Sequence, residues 1–274
     1  MFRTPFLLAP ALVLAASAVP ARPLAAQATA AVTSAAPLAA RDRWADSARR
    51  AIEVAHARGD RAALAGVRAM LGRALVVTPG DPLLLHYLGY AQYREAALLL
   101  GQGDKAGARR LLEPADTVLA RSGERRPLPE TFAVRASVLG MLIATGGPMA
   151  GMQLGPEAGD QMARAAALGP HSPRVLLLQG ISAFSTPAVW GGGMDKARRY
   201  LEQAVALAAT DRPAPPLPAW GEADANLWLG RSRQQAGDTA GARAAYRRAQ
   251  ALQPDNRWLT AVLIPSLDRP AGGR

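Results

Sequence analysis

The residues of this chain whose types and spacing could do chemistry are few. The stretch at 185–207 reads STPAVWGGGMDKARRYLEQAVAL, with a tryptophan, three glycines and Lys196 just ahead of an amphipathic helix. Backbone N–H groups of a glycine run at a helix N-terminus can cradle a phosphate. A P-loop, however, places Ser or Thr after its lysine to hold the metal, and it follows a buried strand. Here Ala197 follows Lys196 and the preceding segment is helical in pattern, so the run reads as a tight turn between packed helices, with Asp195 in the first turn against the helix dipole. Met149, Met152 and Met162 carry thioethers of the kind that bind Cu(I), but no His or Cys lies beside them and they read as core gap-fillers. His56, His86 and His171 show no metal-ligand spacing. There is no cysteine and no G-x-S-x-G, while Glu95, Glu113 and Asp116 read as helix-surface charges. No catalytic constellation is present, and the expectation is a protein that is not an enzyme and holds neither metal nor cofactor. Trp190, Trp220, Trp228 and Trp258 are expected as core or loop anchors.

The elements that position these residues come from the rest of the chain. Of 274 residues half are hydrophobic and only 5% aromatic, an Ala-, Leu- and Arg-rich composition that favours helices. Residues 1–28 carry Arg3, an apolar run from Phe6 to about Val19 and the small-x-small site Ala26-Gln27-Ala28. They read as a secretory leader cleaved after Ala28, which predicts a periplasmic or secreted product with no integral membrane segment after cleavage. The formal charge is +11, but the arginines are scattered and only Lys105 and Lys196 are lysine, so nucleic acid is not an expected partner. Residues 29–44 are expected as a flexible lead and 268–274 as a disordered tail.

From residue 45 helical patterns alternate with Pro/Gly breaks at 78–82, 126–129, 169–173, 211–218 and 253–256, with no alternating strand pattern. Residues 223–256 fit a 34-residue helix-turn-helix unit: Leu229-Gly230 in the first helix, Gly237-Asp238 at the turn, and Ala242, Tyr246, Ala249 and Pro254 in and after the second. This is the tetratricopeptide (TPR) pattern. Weaker copies place the first-helix glycine at Gly89, Gly140 and Gly180, and second-helix alanine pairs at Ala108/Ala115, Ala158/Ala165 and Ala197/Ala204. Alanines seven apart share one helical face and admit a close neighbour. The reading is an all-α, right-handed TPR-like superhelix spanning 45–267, with units at 45–79, 82–122, 129–170, 173–208 and 218–256 and a cap at 257–267. The extra residues of units two to four fall between the two helices of a unit, on one rim. In unit two they look helical; at 144–159 and 185–194 they are expected as loops.

The segment MQLGPEAGDQMARAAALGPHSPRVLLLQGISAFSTPAVWGGGMDKARRYLEQAVAL, followed by the last unit and RWLTAVLIPSL, resembles a family of exported bacterial TPR proteins of unknown function. In that family a Gly-Pro segment leads to a helix ending in a Pro-x-x-Pro-Arg turn, and a Thr-Pro-x-x-aromatic-Gly-Gly-Gly segment opens the next second helix. The similarity covers about residues 133–267 well and the N-terminal third weakly; it implies fold and export and gives no substrate. The chain is also loosely similar to the TPR component of periplasmic tripartite transporters.

Two functions follow. The first is a non-enzymatic scaffold that binds a protein or peptide in its concave groove. Counting along the first helices from each glycine selects His86, Tyr90, Tyr93, Arg94, Met141, Arg174, Ile181, Phe184, Arg231, Gln234 and Gln235, where aromatics beside arginines suit an extended chain bearing carboxylates. The bland reading beside it is that several of these bury against the N-terminal segment. The second is a small-molecule or transporter-associated receptor built from the two rim loops, with Gln153, Gly155, Thr186, Trp190 and Gly191 as its residues.

Overall fold

The computed structural model describes the backbone of residues 24–268 and the side chains of residues 38–268 except Pro148. The expected leader up to residue 23 and the tail after 268 lie outside the described residues. Every regular element among the described residues is helical: α1 (Leu24–Ala57), α2 (Arg61–Val77), α3 (Pro82–Gly101), α4 (Lys105–Arg125), α5 (Pro129–Gly146), α6 (Pro148–Leu168), α7 (Pro173–Ser185), α8 (Met194–Ala208), α9 (Glu222–Gln235) and α10 (Thr239–Leu252). The described chain divides into two units after residue 38, the second running from residue 39 to the last described residue, 268. The second is an all-α TPR-like solenoid.

Local chemistry explains where the helices begin. Proline opens α3, α5, α6 and α7, where its missing N–H costs nothing and its fixed φ suits the first turn. Asp60, Asp81, Asp104 and Asp238 cap α2, α3, α4 and α10 by accepting backbone N–H bonds, for example Gly107 N to Asp104 at 2.7 Å. Within each unit a first helix packs on a second, α3 on α4, α5 on α6, α7 on α8 and α9 on α10. The first helices also touch one another along the array, α3 with α5, α5 with α7 and α7 with α9, and so form its inner face.

Small residues set the spacing of these hairpins. The second-helix alanines Ala108, Ala115, Ala165, Ala197, Ala204, Ala242 and Ala249 are all buried. Gly89, Gly180 and Gly230 are pressed against Leu119, Leu201 and Tyr246; a β-carbon on Gly180 would lie 2.6 Å from Leu201 Cγ. Gly140 breaks the series, being exposed with nothing near its missing side chain. In α3 and α7 the pressed glycine stands seven residues after the opening proline, and the residue seven after Pro129 is Ala136, which is buried. The third unit therefore runs in a register four residues from the one its glycine suggested.

Three further expectations change. Residues 29–44, expected as a flexible lead, are helical within α1, in keeping with their alanine content. Residues 144–159 are not a loop. Gly147, at φ +78, alone separates α5 from α6, and α6 starts at Pro148 and carries Pro156 inside it. The Ala-, Met-, Gln- and Leu-rich surroundings sustain the helix past that proline. The 185–194 segment is a turn as expected, with a short 3-10 helix at Ala188–Trp190. The cap is a π-helical turn, Leu259–Leu263, running into Ile264–Ser266, and its Leu259 and Leu263 bury against Leu227, Tyr246 and Ala249.

The connections between units span three or four residues (78–81, 126–128, 169–172, 253–256), except the one from α8 to α9, which takes thirteen (209–221).

Gly230→Ala and Gly140→Ala are expected to move stability in opposite directions. At Gly230 a methyl group meets the rigid Tyr246 ring, and overpacking of that kind costs about 1–3 kcal/mol. At Gly140 only the helix propensity changes, and the gain is up to about 1 kcal/mol. Urea unfolding midpoints of the two variants measure both.

Candidate functional site

The inner face was the expected groove, and its first half is already filled. His86, Tyr90, Tyr93 and Arg94 of α3 are at most 8% exposed. The Arg94 guanidinium donates to Asp224 of α9 at 2.6 Å and lies 3.4 Å from Glu53 of α1. Tyr90 donates its hydroxyl to Glu53 at 2.7 Å, and His56 Nδ1 meets the Arg94 carbonyl at 3.2 Å. His86 Nδ1 is 2.9 Å from Thr131 Oγ1 of α5. These residues do come together, but as a core cluster bridging the first, second, third and fifth units. The chain ends of the array also meet at the surface, where Arg58 pairs with Asp255 at 2.8 Å beside a cleft of about 520 Å³.

Burial dominates the electrostatics of this cluster. Two carboxylates share one guanidinium, and burial raises the Glu53 carboxyl above its ordinary range despite the nearby Arg94 charge. Burial likewise lowers His56 to about 3, aided by Arg94, and His86 to about 4. Both histidines are neutral at physiological pH, and His86 Nε2 has no partner.

Arg174 at the start of α7 is buried as well, donating to Glu130 at 3.0 Å and to Asp211 at 2.5 Å. Asp211 begins the long α8–α9 connection, which lies on the same inner face: Tyr87 donates its hydroxyl to the Pro216 carbonyl at 2.6 Å, and the Trp220 ring stacks on Tyr90 with centroids 4.7 Å apart. A cavity of about 440 Å³ runs beside it, lined by Arg49, Glu53, Arg174, Arg212, Trp220 and Glu222 among others.

The second half of the inner face is less enclosed, with Phe184, Trp228 and Arg231 half-buried. Phe184 of α7 meets Trp228 of α9 edge-on at 5.4 Å, and Trp228 meets Trp258 of the cap at 5.9 Å. The Arg231 guanidinium sits over all three rings, 4.7, 4.4 and 5.0 Å from the Phe184, Trp228 and Trp258 centroids. Unlike Arg94 and Arg174, it has no carboxylate partner among the described residues. Burial lowers its pKa below the usual guanidinium value. Trp258 is 40% exposed and Gln235 is exposed. Gln234 instead ties the cap down, donating to Ser266 at 2.9 Å and accepting from Tyr246 at 2.8 Å. Met141 and Ile181 are partly buried against the core.

On the rim, Gln153 and Gly155 stand on α6, whereas Thr186, Trp190 and Gly191 belong to the turn before α8. The rim expected as two adjacent loops is thus a helix and a turn. Trp190 is 79% exposed rather than anchored, and Met149 and Met152 are exposed rather than filling gaps, while Met162 does pack on the core. Glu95, expected at the surface, is buried and pairs with Arg68 at 2.8 Å. The glycine run turns its amides inward. Gly191 N donates to Ala188 O, Gly192 N to Pro187 O, and Gly193 N to both Ala183 O and Thr186 O. A β-carbon on Gly192 would collide with the Thr186 carbonyl. These amides are engaged within the turn, and none remains to cradle an anion. Among the described residues no group of three His, Asp or Glu side chains is placed to hold a metal ion.

Sequence reasoning missed Glu53, Tyr87 and Asp224, which complete the buried cluster. It also missed that Trp228 and Trp258 would frame Arg231. The thirteen-residue DRPAPPLP-containing connection was a visible signal; what it rests on was not.

No protein-family model matches the chain, and a search of curated proteins finds no match. Solved structures do resemble it. The HusA haemophore from Porphyromonas gingivalis superposes with a TM-score of 0.58 at 24% identity over 70% of this chain and 94% of its own. A thermophilic TPR protein from Thermus thermophilus gives 0.56 at 22% identity over 81% and 98%. These likenesses bear out a TPR-like fold for this chain.

Stability is expected to fall on acidification. Unfolded histidine takes up a proton near pH 6.5, whereas His86 resists to about 4 and His56 to about 3. The unfolded chain therefore binds more protons across pH 6.5 to 4, and stability drops by up to about 1.4 kcal/mol per pH unit for each histidine. Glu53, with its folded pKa raised, acts in the opposite sense, so one carboxyl partly offsets two imidazoles. Urea titrations at pH 7.5 and 4.5 measure the drop, which His86→Gln should reduce by about half.

Proposed function

We propose that this protein is a non-enzymatic scaffold, exported to the periplasm or the medium, that holds an extended protein segment along the less enclosed half of its inner face. The leader-like residues 1–28 support export. No described helix is long and apolar enough to cross a membrane. Solenoids built from stacked hairpins present such inner faces to extended partners.

One observation carries the choice of surface. Arg231 is a partly desolvated guanidinium, surrounded by three aromatic rings and without a carboxylate partner among the described residues. A guanidinium so placed forms its strongest bonds with a carboxylate, which it can grip through two parallel N–H donors. Phe184, Trp228 and Trp258 supply apolar area beside it. The partner segment is therefore one with a carboxylate, from Asp, Glu or a chain end, next to apolar side chains. Arg94 and Arg174, which sequence reading had grouped with Arg231, are each paired with two carboxylates inside the fold.

The test is capture of partners from periplasmic extract on the immobilised protein. Arg231→Glu should lower the yield at least tenfold and Trp258→Ala severalfold, with the circular dichroism spectrum unchanged. A yield unaffected by Arg231→Glu would reject this surface. Arg174→Glu should fail differently. It leaves Glu130 and Asp211 without their cation, and losing one member of a buried ionic group costs about 3–5 kcal/mol, read as a lower melting temperature.

Three rings around a guanidinium also suit a flat aromatic ligand bearing carboxylates, and the fold is shared with a protein described as a haemophore. Haemin is the probe for that second reading. A shift of its absorption band on mixing, lost in Trp258→Ala, would support it, and an unchanged spectrum would remove it.

A further inference from the structure

The α8–α9 connection, residues 209–221, is three to four times as long as any other connection between units. Long structured loops in compact domains commonly serve binding or gating. Geometry alone does not require this length, since three or four residues suffice elsewhere in the same array. Its sequence is DRPAPPLPAW over 211–220: a carboxylate, four prolines and a terminal tryptophan.

Each of those features meets a receptor-like group on the inner face. Arg174 pairs with Asp211 at 2.5 Å. Tyr87 donates its hydroxyl to the Pro216 carbonyl at 2.6 Å, the way an aromatic-lined groove reads the backbone of a proline-rich ligand. Trp220 lies flat on Tyr90, with an interplanar angle of 18°. Between Arg212 and Trp220 the one backbone hydrogen bond described within the connection is Leu217 N to Ala214 O. The segment is thus held by the groove rather than by secondary structure.

The fit is also incomplete. Trp220 Nε1 is buried with no partner, a defect that native cores normally avoid. The cavity of about 440 Å³ along the flank of the connection leaves it unpacked there, and Arg212, Ala214 and Pro215 face solvent.

We infer that residues 211–220 are a built-in occupant of a second binding groove, formed by Tyr87, Tyr90 and Arg174, whose partner is an extended proline-rich segment with a carboxylate at one end and an aromatic side chain at the other. The partner takes the groove by displacing the connection. Prolines lower the ordering entropy of such a ligand, and tethering gives the internal copy a high effective concentration. The native groove is therefore closed to weak competitors and open to a better-fitting one. This rests on reading the chain as a binding protein and does not use Arg231.

The connection's own sequence is the probe. A fluorescein-labelled peptide DRPAPPLPAW, followed by anisotropy against the full chain, should bind weakly to the native protein and at least tenfold more tightly to Trp220→Ala, whose internal copy has lost its anchor. Adding Tyr87→Phe to that variant should reverse much of the gain, and the peptide ending in Ala should not bind. Equal binding by native protein and a folded Trp220→Ala variant, or none by either, overturns the inference. Should Trp220→Ala unfold, Ala214→Cys reports instead. The chain has no other cysteine, and a nitroxide there should become more mobile as peptide is added. A spectrum unchanged at millimolar peptide rejects displacement. Partner capture through Arg231 is a separate readout, so either site can fail alone.

Discussion

The structure depends on the charge of one buried side chain. Arg94 projects from α3 into a space closed by α1 and α9, and its guanidinium is neutralised only because Glu53 and Asp224 reach it from those two helices. An unpaired guanidinium there would cost several kcal/mol. The first and fifth units are therefore bound to the second through residues 41 and 130 positions away in sequence. The α3 residues of the inner face are buried core there. The Tyr90 hydroxyl, the His56 ring and the Trp220 stack complete the same cluster.

Three arginines with the same apparent role consequently divide. Arg94 and Arg174 are each held between two carboxylates and turned inward. Arg231 has rings where the others have acids, so its charge has no described counter-ion. Low dielectric makes both arrangements matter, since a paired buried charge locks structure and an unpaired half-buried one favours a ligand. The rim follows a plainer logic. Its glycine run gives up its amides to carbonyls of the preceding turn, and Gly192 is needed because the Thr186 carbonyl occupies the place of a side chain.

Which features could be read in advance follows from the range of the interactions involved. The last unit was legible because Gly230, Ala242, Tyr246 and Ala249 interact within 34 residues at fixed offsets. The third unit misled because Gly140 looked like its counterpart, while the pressed position belongs to Ala136, seven residues after Pro129 as Gly89 is after Pro82. That offset was present in the sequence. The 144–159 stretch misled for a related reason. Gly and Pro usually punctuate helices, but a proline at the first helical position starts one and a single Gly147 suffices for the turn.

By itself the sequence determined what local physics controls: helices from alanine- and leucine-rich composition, their starts from Asp and Pro, and hairpin spacing from small residues seven apart. It also placed His86, Tyr90, Arg94, Arg174 and Arg231 on first helices. Tertiary structure alone decided which of them are paired inside the fold. That outcome hangs on Asp224 lying beside Arg94, on Asp211 beside Arg174, and on no described carboxylate beside Arg231. Such distances are set by the accumulated curvature of five packed hairpins rather than by any periodicity along the chain.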